Sequence, residues 1–222
     1  MTAPEADTPI NSELGWVDGE VRDEFPELRL ISAQLQTDIN SIGSRALERH
    51  LSGLSNRING ARAVNLRREP VPAAYRIFFR HIGLDPDVTR TPIEAAILER
   101  LLDGGFLPRG TLEDLLLSAL VETSVPVWAL DRDHLDGPLG IRLSRAGEPL
   151  GRSEEAPELT GGQLVVADSS AALAVLFGEL APGHEAHTET RRMVLFTVQV
   201  PGVSSLHIEE ALWMCTCALE GA

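Results

Sequence analysis

The sequence predicts an α+β fold, a single domain in which a mixed sheet packs against helices. Two observations carry this expectation. Before Pro126 most apolar residues recur at helical spacing, whereas from Leu139 to Val200 short apolar runs alternate with glycine, proline and polar turns. A last helical segment then closes the chain, and helices first with strands later is not the regular alternation of a doubly wound sheet. The 222 residues, 43% of them hydrophobic, suffice for one buried core.

Met1 to Asn11 is rich in proline, alanine and acidic residues and has no hydrophobic period. Residues 1–14 are therefore expected as a disordered tail and 15–222 as the domain. Leu28 to Leu35 alternates as a strand, with Ile31, Ala33 and Leu35 on one face. Ser41 to Asn65 reads as one helix because Ala46, Leu47, Leu51, Leu54 and Ile58 keep helical spacing. Pro70 and Pro72 separate it from a helix over Ala73 to Ile82. Its stripe of Tyr75, Phe78, Phe79 and Ile82 reads as core rather than as a base-stacking platform. Gly83 caps that helix, Asp85-Pro86 turns the chain, and Thr91-Pro92-Ile93-Glu94 opens the next helix with an N-cap followed by proline.

The run from Gly104 to Asp131 reads as the floor of a pocket. Gly104 and Gly105 end the preceding helix, Thr111 offers an N-cap oxygen, and Glu113 and Asp114 suit the positive end of the helix that follows. Apolar residues from Leu112 to Val121 surround most of that helix, so it is expected to be buried on most sides. Pro126 stops it, and Val127 to Leu130 read as a short buried strand carrying Trp128. Further strands are expected at Leu139–Leu143, Gln163–Ala167, Ala171–Phe177 and Met193–Val200. Ser205 to Leu219 then forms a closing helix with Ile208, Leu212, Cys215 and Leu219 inward.

A net charge of −14 opposes loose attachment to nucleic acid through counterion release. The one appreciable basic stretch holds Arg45, Arg49, Arg57, Arg62, Arg67 and Arg68, and it admits two readings: a solvated helix face, or a patch facing tRNA or another anion. There is neither a membrane-length apolar run nor the basic-then-apolar order of a secretory signal, so a soluble cytoplasmic protein is expected. Cys215 and Cys217, one residue apart in a helical pattern, point to different faces and read as reduced thiols in ordinary packing.

With these residues in order, the chain from about Trp16 to Leu219 resembles the B3/B4 domain of the phenylalanyl-tRNA synthetase β subunit, and more closely its freestanding relatives. The resemblance is carried by Tyr75 through Asp85, Leu107-Pro108-Arg109, Asp114, Pro126 with Ala129 and Asp131, Leu135 with Gly137, Gly147-Glu148, and Val166-Ala167-Asp168. It implies the fold and an editing activity, hydrolysis of the ester joining a wrong amino acid to tRNA, performed in trans by freestanding members. That chemistry needs a small pocket, donors that orient the ester and a placed water, and it requires no metal, cofactor or covalent nucleophile. The chain departs from the family pattern at Leu117, where an asparagine is common, and at Trp128, where synthetases carry a histidine. Both departures predict a reshaped or partly closed pocket.

Arg109 matches the family arginine and either grips a carboxylate, phosphate or terminal adenosine, or holds the turn through Asp114 or Asp131. Asp168, Ser169 and Ser170 follow a strand and read either as pocket-mouth groups or as a polar turn. His184, His187 and Glu189 lack the HExxH spacing of a zinc helix, and no metal is expected there. Thr188 and Thr190 lie on a segment that lines the pocket in relatives. The resulting expectation is a trans-editing aminoacyl-tRNA deacylase with Arg109, Asp168 and His187 as catalytic groups. Leu116, Leu117, Trp128, Ser169, Thr188 and Thr190 form its substrate pocket. The alternative is a repurposed domain that binds an amino acid, a small apolar ligand or a protein partner.

Overall fold

The computed structural model describes residues 11–42, 44–153 and 155–220. Among them the chain forms an α+β domain with seven α-helices and two four-stranded sheets. The strands in chain order are β1 (Ser12–Leu14), β2 (Trp16–Val17), β3 (Arg29–Gln36), β4 (Val127–Asp131), β5 (Gly140–Leu143), β6 (Leu164–Ala167), β7 (Ala172–Val175) and β8 (Arg192–Gln199). The expected strands are present with ends shifted by one or two residues. Most of the tail expected at 1–14 lies outside the described residues, but Ser12–Leu14 is an edge strand paired with β3.

Instead of one mixed sheet there are two. The first, in the order β1-β3-β8-β4, is antiparallel throughout, and β3 and β8 pair over eight consecutive residues from Arg29–Gln199 to Gln36–Arg192. The second, β2-β5-β6-β7, is mixed because β2 runs parallel to β5. Gly140 on β5 permits that parallel pair. A Cβ there would lie 2.0 Å from the Trp16 ring, whose Nε1 donates to the Pro138 carbonyl at 3.0 Å.

The helices are α1 (Gly19–Glu24), α2 (Ser44–Arg57), α3 (Gly60–Leu66), α4 (Pro70–His81), α5 (Pro92–Leu102), α6 (Thr111–Thr123) and α7 (Ser205–Glu220). The single helix expected over 41–65 is broken, because Asn59 caps a new one by accepting from the Arg62 N–H at 3.0 Å. The chain breaks before Pro70 as expected, but Pro70 and Pro72 stand inside the first turn of α4, where backbone N–H groups are unpaired anyway, so the helix starts at Pro70 and not Ala73. Its stripe is core as expected: Tyr75, Phe78 and Phe79 are each 1% exposed, and the Tyr75 hydroxyl donates to the Val198 carbonyl at 3.0 Å. Phe177 holds this face to the sheets. Its φ of 61° is costly for a bulky residue, yet its ring meets Tyr75, Phe78, Phe79 and Trp128 at centroid distances of 5.5 to 6.0 Å.

A large core joins the two sheets to α4 and α7, and a separate helical core gathers Leu51, Leu54, Ile93, Ile97, Phe106, Leu117, Leu120 and Val121. Helix α6 belongs to both, packing on α7 and on α2. Cys215 faces inward, where burial pushes its thiol up to about 12, and Cys217 faces outward. No helix among the described residues is long and apolar enough to cross a membrane.

Candidate functional site

The expected site residues fall into two places. The first is a cleft of about 200 Å³ between α5, α6 and β4, which brings Arg109, Leu116, Leu117 and Trp128 together. Its wall is apolar, from Leu116, Leu117, Leu120, Val127 and Trp128, and its mouth is charged, from Glu99, Arg100, Arg109 and Glu113. Trp128 lines the cleft rather than filling it, because the ring is held from behind. It stacks on its cross-strand neighbour Phe196 at 5.4 Å and 16°. Leu117 is 7% exposed and packs with Leu120 and Val121 in the helical core, so its identity serves packing as well as the cleft.

The mouth is built by the start of α6. Its N-cap is Gly110, not Thr111, and the cap is made by Asp114 reaching back: Oδ2 accepts from the Arg109 N–H at 2.9 Å and the Gly110 N–H at 3.2 Å. Arg100, 3% exposed, crosses from α5 to donate to Asp114 at 3.2 Å, to Glu113 at 3.0 Å and to the Leu107 carbonyl. The buried charge of Arg100 is tolerable because it faces the buried Asp114, whose two oxygens are both hydrogen-bonded. The Arg109 guanidinium is held by carboxylates other than the expected Asp114 or Asp131: Glu99 at 2.5 Å, Glu113 at 3.4 Å, and Asp103. The bond to Glu99, followed by that to Asp103, raises its pKa against the opposing effect of burial, so it is a permanent cation.

The second place is a polar cluster at the ends of β4, β6 and β7. Asp168, 3% exposed, accepts from five donors: the Ser170 N–H at 2.9 Å, the Ser170 hydroxyl at 3.2 Å, the Ala171 N–H at 3.0 Å, the Asp136 N–H at 2.7 Å, and Arg152. Burial pushes the carboxyl up, but the three backbone donors and Arg152 outweigh it and hold the group below the ordinary carboxylate range. A carboxylate so filled has no lone pair left for a substrate proton. Arg152 also donates to the His134 carbonyl and to His184 Nε2, both at 2.7 Å. A guanidinium only donates, so Nε2 accepts and the ring proton sits on Nδ1, 3.2 Å from the Pro182 carbonyl. The His184 nitrogens are thereby occupied, and no group of three or more His, Cys, Asp or Glu among the described residues could hold a metal.

The remaining expected residues border this cluster, not the cleft. Ser169 is exposed, and its N–H bonds the Asp136 carbonyl at 3.0 Å. Thr190 is buried and donates to Asp131 at 3.1 Å. His187 and Thr188 are exposed on the turn that Thr190 closes, and His187 Nδ1 accepts from the Glu189 N–H at 3.2 Å.

The B3/4 domain profile matches residues 74–205, a span that contains the cleft and the cluster. The chain belongs to the B3/4 domain family. Its B3/4 domain is similar to the phenylalanine–tRNA ligase beta subunit of Xanthomonas axonopodis pv. citri (strain 306), 36% identical over 118 residues, which is 50% of this chain and 14% of the relative. The same subunit in Xylella fastidiosa (strain Temecula1) is 38% identical over 87 residues, 39% of this chain and 10% of the relative. In Xanthomonas campestris pv. campestris (strain 8004) it is 44% identical over 68 residues, 31% and 8%. The chain thus spans a small part of each relative's length.

Of the six arginines expected as a tRNA patch, all of which precede the matched span, Arg57 pairs with Glu122 and Arg62 with Glu69 at 2.8 Å. Arg67 lies 3.8 Å from Asp87 and 3.9 Å from Glu94. Arg45, Arg49 and Arg68 have no carboxylate partner among the described residues. Sequence reasoning missed Arg100 and Arg152, the two arginines that organise the two places. No local pattern marks either, since their partners are brought up by other elements.

Proposed function

We propose that the cleft beside α6 receives the side chain of an apolar amino acid, either free or esterified to the 3′ end of a tRNA. One observation carries this reading: an apolar wall of Leu116, Leu120, Val127 and Trp128 meets a mouth that holds both signs of charge, Arg109 beside Glu99 and Glu113. An α-ammonium would pair with the carboxylates, and a carboxylate or ester carbonyl with Arg109. The volume of about 200 Å³ lies below the range of drug-sized pockets, which suits one small apolar group.

Deacylation of a misacylated tRNA is the second reading, favoured by the similarity to synthetase β subunits. Arg109 would polarise the ester carbonyl and stabilise the oxyanion that forms on it, and a mouth carboxylate would orient the attacking water. Asp168 and His187 then hold the loops at the ends of the strands rather than touching the ester. The tRNA body would meet Arg45, Arg49 and Arg68. Thermal-shift titration with single amino acids tests binding, and a panel of aminoacyl-tRNAs tests hydrolysis. Stabilisation by apolar amino acids is expected, and a flat response to every amino acid with no accelerated ester loss would remove both readings.

A further inference from the structure

Helix α5 borders a second cleft on its opposite face. Pro92, Ala96 and Glu99 look toward the first cleft, whereas Glu94, Ile97 and Leu101 look toward one of about 260 Å³ between α5, α3 and the turn at 83–91. Three guanidiniums line it, those of Arg67, Arg76 and Arg90, against the two carboxylates of Asp87 and Glu94. That is a local excess of positive charge in a chain of net charge −14.

The carboxylates are already committed. Arg76, 7% exposed, donates to Glu94 at 2.7 Å, to Asp87 at 2.6 Å and to the Pro86 carbonyl at 3.3 Å. The second oxygen of Glu94 accepts from the Thr91 hydroxyl at 2.8 Å and closes the capping box of α5. Arg67 stands beyond hydrogen-bond reach of both carboxylates, at 3.8 and 3.9 Å, and Arg90 is exposed. Among the described residues neither side chain donates a hydrogen bond. Two guanidiniums with unfilled donor forks therefore flank a cleft whose third, Arg76, is fixed in place.

We propose that this cleft is an oxyanion site for a phosphate group, gripped by Arg67 and Arg90 over the fixed charge of Arg76. Planar guanidinium forks match phosphate oxygens in pairs, and an apolar floor from Leu66 and Ile97 leaves space for the group that carries the phosphate. The phosphate comes either from the backbone of an RNA strand or from a free nucleotide. The site does not depend on what fills the first cleft, from which it is separated by about one helix diameter, roughly 10 Å.

The test is calorimetric titration of the full chain with inorganic phosphate at constant ionic strength. Saturable binding with a Kd of about 1 mM is expected, weakened about fivefold or more by Arg90→Ala and by Arg67→Gln. The double variant Arg29→Ala, Arg145→Ala, at two exposed arginines away from both clefts, should leave it unchanged. Competition then assigns the source: displacement at lower concentration by a short single-stranded RNA than by adenosine monophosphate points to a phosphodiester, and the reverse to a free nucleotide. Absence of saturable binding, or an equal loss in the Arg29, Arg145 double variant, overturns the site.

Discussion

The cleft beside α6 and the cluster around Asp168 share a charged arginine beside carboxylates, but they differ in what those charges are left to do. In the cluster, Asp168 is 3% exposed and takes five donors, and Arg152 is divided among Asp168, Ser170, His134 and His184. In the cleft, Arg109 rests on exposed carboxylates beside an apolar wall. A filled, buried carboxylate fixes backbone, whereas exposed carboxylates around an arginine can exchange it with a ligand at little cost. Residue type alone does not separate these roles; the number of donors already taken does.

The largest effect that would sharpen this contrast is Asp168→Ala. Leaving the N–H groups of Asp136, Ser170 and Ala171 without their acceptor should lower unfolding free energy by about 4 kcal/mol, read by urea denaturation, while ligand affinity of the folded protein stays unchanged. Lost activity with unchanged stability would reverse the assignment. Trp128→Ala comes next, at about 3 kcal/mol, because Phe196 and Phe177 lose a packed face. The same change should move amino-acid preference in thermal-shift titration toward larger side chains.

Acid dependence is the third. The pKa of Asp168 is lower folded than unfolded, so its contribution is complete above the unfolded value, about 4, and is lost as pH falls through the folded value. Glu148, held down first by its bond to Arg142, acts with the same sign. Asp168→Asn should flatten stability against pH below about 4, and an unaltered acid limb in denaturation midpoints would refute this. The smallest effect on stability is expected for Arg109→Ala: no resolvable change in Tm, with amino-acid affinity reduced about tenfold. A cooperative loss of fold in that variant would place Arg109 with Asp168 as a structural residue.

The two regions were unequally legible. The run from Gly104 to Asp131 was readable because glycine turns, helical period and a stopping proline are local signals, and α6, β4 and the lining by Leu116, Leu117 and Trp128 follow from them. Even there the cap was misplaced, since Asp114 reaches back to Gly110 where Thr111 stood ready. The Asp168 network was not readable. Arg152 lies 16 residues from Asp168 and 32 from His184, and nothing in the spacing brings them together. The split into two sheets escaped for the same reason, because alternation marks a strand without naming its neighbour.

By itself the sequence determined the strands from β3 onward and the helices from α4 onward, which of their apolar faces turn inward, and that the turn before α6 carries an arginine. These depend on contacts within a few residues, where backbone sterics and hydrophobic period act directly. Only the tertiary structure decided which carboxylate meets which arginine, that Trp128 is backed by Phe196, and that Asp168 is filled. Those outcomes are contacts between distant elements, and they are set by how the two sheets and α6 pack rather than by any local preference.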